Sequence, residues 1–104
     1  MKIQIFQADE EGYIRVHYLI RPLFFGLYKD RPSFWGVTDP VGKQGVSCNI
    51  IACEDGQTVD QTIIGNYRTT LINDKIGKVW HLFEEPPKIL SAGPGVPEFK
   101  LPKG

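Results

Sequence analysis

The pattern that decides the fold runs through residues 9–20, Asp9-Glu-Glu-Gly-Tyr-Ile-Arg-Val-His-Tyr-Leu-Ile20. Its first four residues favour a turn, because the glycine accepts a positive φ at little steric cost. The eight residues that follow alternate between two faces, since successive side chains of a strand point to opposite sides. The apolar face carries Ile14, Val16, Tyr18 and Ile20. A turn followed by this alternation predicts a half-buried β-strand.

Similar units recur along the chain. Turn-forming residues return about every 10–12 positions, which is typical of antiparallel sandwiches and barrels. We therefore predict a mainly β fold, a small antiparallel barrel or two-sheet sandwich of about seven strands. Leu23 to Tyr28 is a further strand or an inward-packing loop, because Pro22 and Gly26 make it irregular. The predicted strands cover residues 2–8, 13–20, 34–38, 46–53, 57–64, 67–73 and 78–83.

Residues 58–72 carry a competing signal for an α-helix. Thr58 and Gln61 have the spacing of a capping box. Apolar residues also recur every fourth position, at Val59, Ile63, Tyr67 and Leu71. Gly65-Asn66 and four threonines oppose a helix, because these residues have poor helix propensity. Two strands are preferred, and an α+β fold with a helix near 58–72 is the alternative.

The composition changes after Phe83. Five of the eight prolines fall between Pro86 and the end of the sequence, and proline cannot donate a hydrogen bond to a sheet. We predict a single globular β domain over residues 1–83 and a Pro/Gly-rich extended tail over residues 84–104.

Charge and hydropathy exclude several classes of protein. Lys plus Arg and Asp plus Glu number 12 each, so the net charge is zero and a nucleic-acid partner is not favoured. No apolar run approaches the ~20 residues of a membrane span, and no apolar signal core is present at the start. The sequence predicts a cytoplasmic, intracellular protein. Cys48 and Cys53 lie an odd number of residues apart in one predicted strand, so we expect two free thiols.

No motif for catalysis, a cofactor or a metal is present. His17 and His81 are candidate general bases, and Asp60 stands between Thr58 and Thr62 on one face of its predicted strand. Residues of these types are more often surface or hydrogen-bonded groups. We assign no catalytic residue, no cofactor and no metal ligand, and an enzyme is the least favoured function.

Aromatic and basic residues interleave from Tyr13 to Trp35. Aromatics with arginine are typical of the centres of protein interfaces, and aromatics with cations also suit single-stranded nucleic acid. A core edged by charges is the remaining interpretation. The predicted binding surface consists of Arg15, His17, Arg21, Phe25, Tyr28, Arg31 and Trp35.

The sequence thus predicts a non-enzymatic binding or accessory module that acts through protein–protein contacts. Its partner is an unidentified protein or a second copy of the chain. The alternatives are a small barrel that binds single-stranded nucleic acid and a barrel that holds a small ligand. In the tail, Val96, Phe99 and Leu101 are interleaved with Glu98 and Lys100, which predicts a secondary docking strand.

Overall fold

The computed structural model describes residues 1–86, whose six antiparallel strands form one sheet that curls into a half-barrel. The order across the sheet is β1-β3-β2-β4-β6-β5. The predicted mainly β, antiparallel fold is confirmed, with one curled sheet of six strands. The strands are β1 (Lys2–Gln7), β2 (Tyr13–Tyr28), β3 (Arg31–Thr38), β4 (Val46–Glu54), β5 (Tyr67–Asn73) and β6 (Lys78–Glu84).

The long strand β2 pairs with two neighbouring strands. Its first half, to Leu19, pairs with β4, and its second half, from Leu19, pairs with β3. Between the halves the backbone turns at Tyr18, whose φ of 55° is left-handed. The carbonyl oxygen of Tyr18 accepts a hydrogen bond from the backbone N–H of Asp39 at 3.0 Å. The segment from Leu23 to Tyr28 is therefore the continuation of β2.

Two hairpin tips meet at one end of the half-barrel. Lys29 and Asp30 have φ angles of 52° and 64°, so they form the two-residue type I′ turn that suits twisted strands. Asp30 Oδ1 accepts a hydrogen bond from Asn73 Nδ2 at 3.1 Å, and Asp30 Oδ2 lies 3.5 Å from Lys75 Nζ. These contacts join the β2–β3 tip to the β5–β6 tip and hold the curl.

The core lies on the concave face of the curled sheet. Its side chains come from β1 to β6 in alternating positions and fill the interior. The buried members are Ala8, Ile14, Val16, Phe34, Ile50, Ala52 and Leu82. The partly buried members are Phe6, Leu19, Phe25, Cys48, Leu71 and Trp80.

The predicted strand at 57–64 and the alternative helix at 58–72 are both wrong. Since β4 and β5 each run antiparallel to β6, they are parallel, and the chain between them must cross over. This crossover, residues 55–66, contains one 3-10 turn at Gln61–Ile63. Its ends donate backbone hydrogen bonds to β6, from Asp55 to Val79 and from Gly65 to Glu84. Residues 1–86 form no helix long and apolar enough to cross a membrane.

The turn at Tyr18 should depend on the missing side chain of Gly45. A Cβ at Gly45 would lie 2.5 Å from the carbonyl carbon of Tyr18, whereas one at Gly56 would meet nothing within 4 Å. Both glycines have a positive φ, of 96° and 88°. We expect Gly56→Ala to cost about 1–2 kcal/mol of unfolding free energy, and Gly45→Ala about 1–3 kcal/mol more. Urea unfolding of both variants measures the difference, and equal losses would contradict the close approach.

The loop from β3 to β4 should respond to acid through Asp39. The Asp39 carboxylate accepts hydrogen bonds from the backbone N–H groups of Val41, Lys43 and Gln44. These donors, Val41 first, lower the pKa of Asp39 below its ordinary value. Its contribution to stability is therefore full above the ordinary pKa of about 3.9 and is lost as the pH falls through the lower folded value.

Asp39→Asn tests this coupling. We expect a lower melting temperature than wild type at pH 7. The difference should shrink as the pH falls below about 4 and disappear once Asp39 of the folded wild type is itself protonated. The matched control is Asp74→Asn, at an exposed position of the β5–β6 turn. Thermal melts from pH 2 to pH 7 would argue against the coupling if the two variants behaved alike.

Candidate aromatic interface

Three one-residue register shifts interrupt β2. They fall between Val16 and Leu19, between Leu19 and Arg21, and between Pro22 and Phe24. Each shift moves every following side chain to the other face of the sheet. Because the number of shifts is odd, inward-facing and outward-facing positions are exchanged between the first and the second half of β2.

The reversal puts Phe24 outside and Phe25 inside. Phe25 packs in the core with its ring centroid 4.9 Å from that of Phe34. Phe24 is 63% exposed on the convex face. The predicted binding residue Phe25 therefore lies on the opposite side of the sheet from Phe24, the exposed phenylalanine of this pair.

Phe24, Tyr28 and Trp35 form an aromatic platform on the convex face of β2 and β3. The centroid of the Trp35 ring lies 5.8 Å from that of Phe24 and 6.3 Å from that of Tyr28, which approaches edge-on. A Cβ at Gly26 would lie 2.5 Å from Phe24 Cε2, so the Phe24 ring lies over Gly26. This arrangement leaves Phe24 and Tyr28 open to a partner while Trp35 supports them from the centre.

Arginines flank the platform on the same face. Arg21 is paired with Val37 and Arg31 is paired with Tyr28, and residues opposite each other in adjacent strands share a face. Within residues 1–86, neither arginine forms an ion pair. The platform thus carries two cations that are available to an incoming anionic group.

Aliphatic side chains extend the platform onto β1. Ile3 is paired with Val37, and Ile5 is paired with Trp35. Ile3 is 68% exposed. The convex face therefore carries apolar side chains across β1, β3 and β2.

The remaining predicted residues lie apart from the platform. Arg15 stacks 4.8 Å from the centroid of the Tyr13 ring and forms an ion pair with Asp9 at 3.1 Å. Backbone N–H groups, that of Tyr13 first, lower the pKa of Asp9, and the charge of Arg15 adds to this effect. The structure brings together the predicted residues Arg21, Tyr28, Arg31 and Trp35. Residues Val96, Phe99 and Leu101 lie outside the described residues.

His17 lines a cavity of about 600 Å³ at the end of the half-barrel near Tyr18. The cavity is also lined by a thiol, Cys48, and a carboxylate, Glu84. Burial raises the pKa of Cys48, and the negative charge of Glu84 raises it further. A thiol of raised pKa stays protonated at neutral pH and is a poor nucleophile. The cavity holds reactive residue types, but its electrostatics oppose activation of the Cys48 thiol.

The other titratable candidates have structural partners. His81 Nε2 lies 3.0 Å from Asp55 Oδ1, and His81 Nδ1 lies 3.1 Å from Thr70 Oγ1, so His81 links the crossover to β5. The Asp60 carboxylate accepts hydrogen bonds from the N–H and hydroxyl of Thr62, which lower the pKa of Asp60 and cap the 3-10 turn. No group of three or more potential metal ligands occurs among residues 1–86.

Sequence reasoning missed Phe24 and Ile3 as surface residues. Regular alternation from Val16 sends even-numbered residues of β2 inward, and only the register shifts turn Phe24 outward. Pro22 and Gly26 were the available signal, since both mark irregular strands. They indicate that alternation cannot be extended through this segment, although they do not fix the number of shifts.

Comparison with known proteins does not assign the chain to a family. No protein-family model, no curated protein and no solved structure matches the chain.

The Cys48 thiol gives a direct test of the cavity electrostatics. Iodoacetamide labelling of the native protein across pH, read by peptide mass spectrometry, separates Cys48 from the buried Cys53. We expect an apparent Cys48 pKa above the ordinary value of about 8.5, and a lower value in Glu84→Gln. Labelling of the denatured protein provides the reference. An apparent pKa below the ordinary value would instead make Cys48 an activated thiol.

Proposed function

We propose that the protein is a non-enzymatic binding module that docks a protein partner through the aromatic platform. The observation that carries this proposal is Phe24, a large aromatic side chain that is 63% exposed on the convex face of the sheet. Contiguous apolar surface on a soluble domain commonly marks an interaction site. Aromatic residues and arginine are enriched at the centres of such sites.

The surroundings of the platform favour protein over nucleic acid. Ile3, Ile5 and Val37 widen the surface with aliphatic groups, which bind apolar side chains rather than stack on bases. Arg31 also lines a cavity of about 320 Å³, whose lining includes the core residues Ala52 and Trp80 and the carboxylates Glu10 and Glu54. Carboxylates there would repel a phosphate chain as it passes Arg31.

The arginines beside the platform indicate the surface chemistry of the expected partner. Arg21 and Arg31 lie on the platform face, and carboxylates on a partner would pair with them while its apolar side chains cover Phe24 and Tyr28. An aromatic cluster with arginine at its rim is the usual composition of an interface hot spot. The expected partner is therefore a protein surface or segment with apolar side chains flanked by Asp or Glu.

An intracellular location fits this role. Cys48 and Cys53 are both free thiols, as the sequence predicted. Free thiols persist in a reducing compartment, where a cytoplasmic partner would be met.

Matched variants test the platform. The wild-type full chain and its Phe24→Ala variant are each immobilised and used to capture proteins from the native host. Each captured protein is then purified, and its affinity for both chains is measured by direct titration. Tyr67→Ala is the control, because Tyr67 is 57% exposed and packs edge-on against Phe83 at 5.8 Å, much as the platform rings pack. We expect Phe24→Ala to weaken binding by about 30-fold, the equivalent of ~2 kcal/mol, and Tyr67→Ala to leave it unchanged.

Charge reversal and nucleic acid provide the decisive outcomes. Arg21→Glu should weaken the same partner, whereas Lys43→Glu, in the β3–β4 loop, should not. Fluorescence anisotropy with a single-stranded 20-mer should show no Phe24-dependent binding. Phe24-dependent oligonucleotide binding that falls with salt would replace this proposal by a nucleic-acid function. A partner that tolerates both Phe24→Ala and Arg21→Glu, or no retained partner at all, would also overturn it.

A further inference from the structure

The two edges of the sheet differ in how they are protected. β5 is irregular, with a register shift between Tyr67 and Thr69, and Arg68 on this strand pairs with Glu84 at 3.2 Å. Residues Arg68 and Thr69 also share the lining of a cavity with the second half of β2. Bulges, charges and nearby chain are the usual means by which an edge strand avoids pairing.

The edge strand β1 has few of these features. Its ladder with β3 runs from Lys2 to Gln7 without a register shift. It contains no proline, and its one charged residue, Lys2, stands at its first position. Every second residue of β1 directs its backbone N–H and C=O away from β3, and no described strand pairs with that edge.

We propose that β1 is a self-pairing edge, at which a second copy of this chain adds its own β1 in antiparallel register. A two-fold axis perpendicular to the sheet keeps the convex faces of both copies on the same side. Centred on Gln4, the pairing places Ile3 of each copy opposite the second copy's Ile5. The 68% exposed Ile3 side chain is then covered by an apolar neighbour.

The charges on β1 are compatible with this pairing. In the register centred on Gln4, Lys2 lies opposite the second copy's Phe6, so the two lysines stand at opposite ends of the paired strands. Their separation along the strand is about 13 Å, because each residue advances ~3.3 Å. This exceeds the screening length of about 8 Å at physiological ionic strength, so their repulsion is small.

Self-pairing at β1 uses the Ile3 and Ile5 edge of the convex surface and does not require the aromatic platform. Phe24, Tyr28 and Trp35 lie on β2 and β3, so a second copy at β1 leaves the aromatic platform open and sets two platforms on one continuous convex face. A Phe24→Ala variant should therefore still form dimers while it loses the platform's partner. The two proposals can fail separately.

Sedimentation velocity over a range of concentrations tests the pairing. The wild-type chain should shift from its mass of 11.8 kDa towards twice that mass as concentration rises. Ile3→Lys and Ile3→Glu should each remain monomeric, because each variant places a charge opposite the second copy's Ile5 and brings two like charges into diagonal positions across the axis. An equimolar mixture of the two variants should restore the dimer. Ile72→Lys is the matched control, since Ile72 is 60% exposed on the other edge strand and its variant should dimerise as wild type does.

Hydrogen exchange provides a second measurement that requires no substitution. The β1 amides that point away from β3 should become protected as the wild-type concentration rises, while β5 amides should not change. A wild-type chain that stays monomeric throughout would overturn the proposal. So would a dimer that survives Ile3→Lys and dissociates in Ile72→Lys, which would place the interface on β5.

Discussion

The left-handed backbone of Tyr18 is the constraint on which the sheet depends. A φ of 55° is unfavourable for a bulky residue, so it must be held by its surroundings. Asp39 at the end of β3 donates a backbone hydrogen bond to Tyr18, and Gly45 before β4 approaches its carbonyl closely. Both residues lie in the loop that joins β3 to β4, the two strands with which β2 pairs. The turn is therefore held by the connection between these two strands, and it lets one strand pair with both of them.

The same turn marks how far the sequence could predict the structure. Up to Val16, alternation predicted the core correctly, because a regular strand has a period of two. Beyond it, Tyr18 and Ile20 were expected on the apolar face, yet they are 45% and 40% exposed. The register shifts depend on contacts with Asp39 and other residues distant in sequence, which local alternation does not contain. The sequence could therefore predict the composition of the aromatic segment, but it could not predict on which face of the sheet each ring lies.

The crossover explains why residues with catalytic chemistry have other roles. Parallel strands cannot be joined by a tight turn, so residues 55–66 must pass from β4 to β5 across β6. Their polar groups have to be satisfied on the way, and His81 and Asp60 contribute to this through Asp55 and Thr62. Sequence spacing had placed Asp60 on a strand face, where its carboxylate would stand ready for a ligand. In the crossover, the same carboxylate holds a turn.

Gly26 in β2 determines where the Phe24 ring of the proposed interface lies. A glycine within a strand weakens it by roughly 0.5–1 kcal/mol relative to alanine, and an exposed phenylalanine gains little from folding. At Gly26 and Phe24 the two occur together, and the space left by the glycine is occupied by the ring. A side chain at position 26 would lift Phe24 away from Trp35 and divide the aromatic platform. At this position the local sequence thus favours the packing of Phe24 beside Trp35 over a stronger strand, as expected if the proposed interface uses these rings.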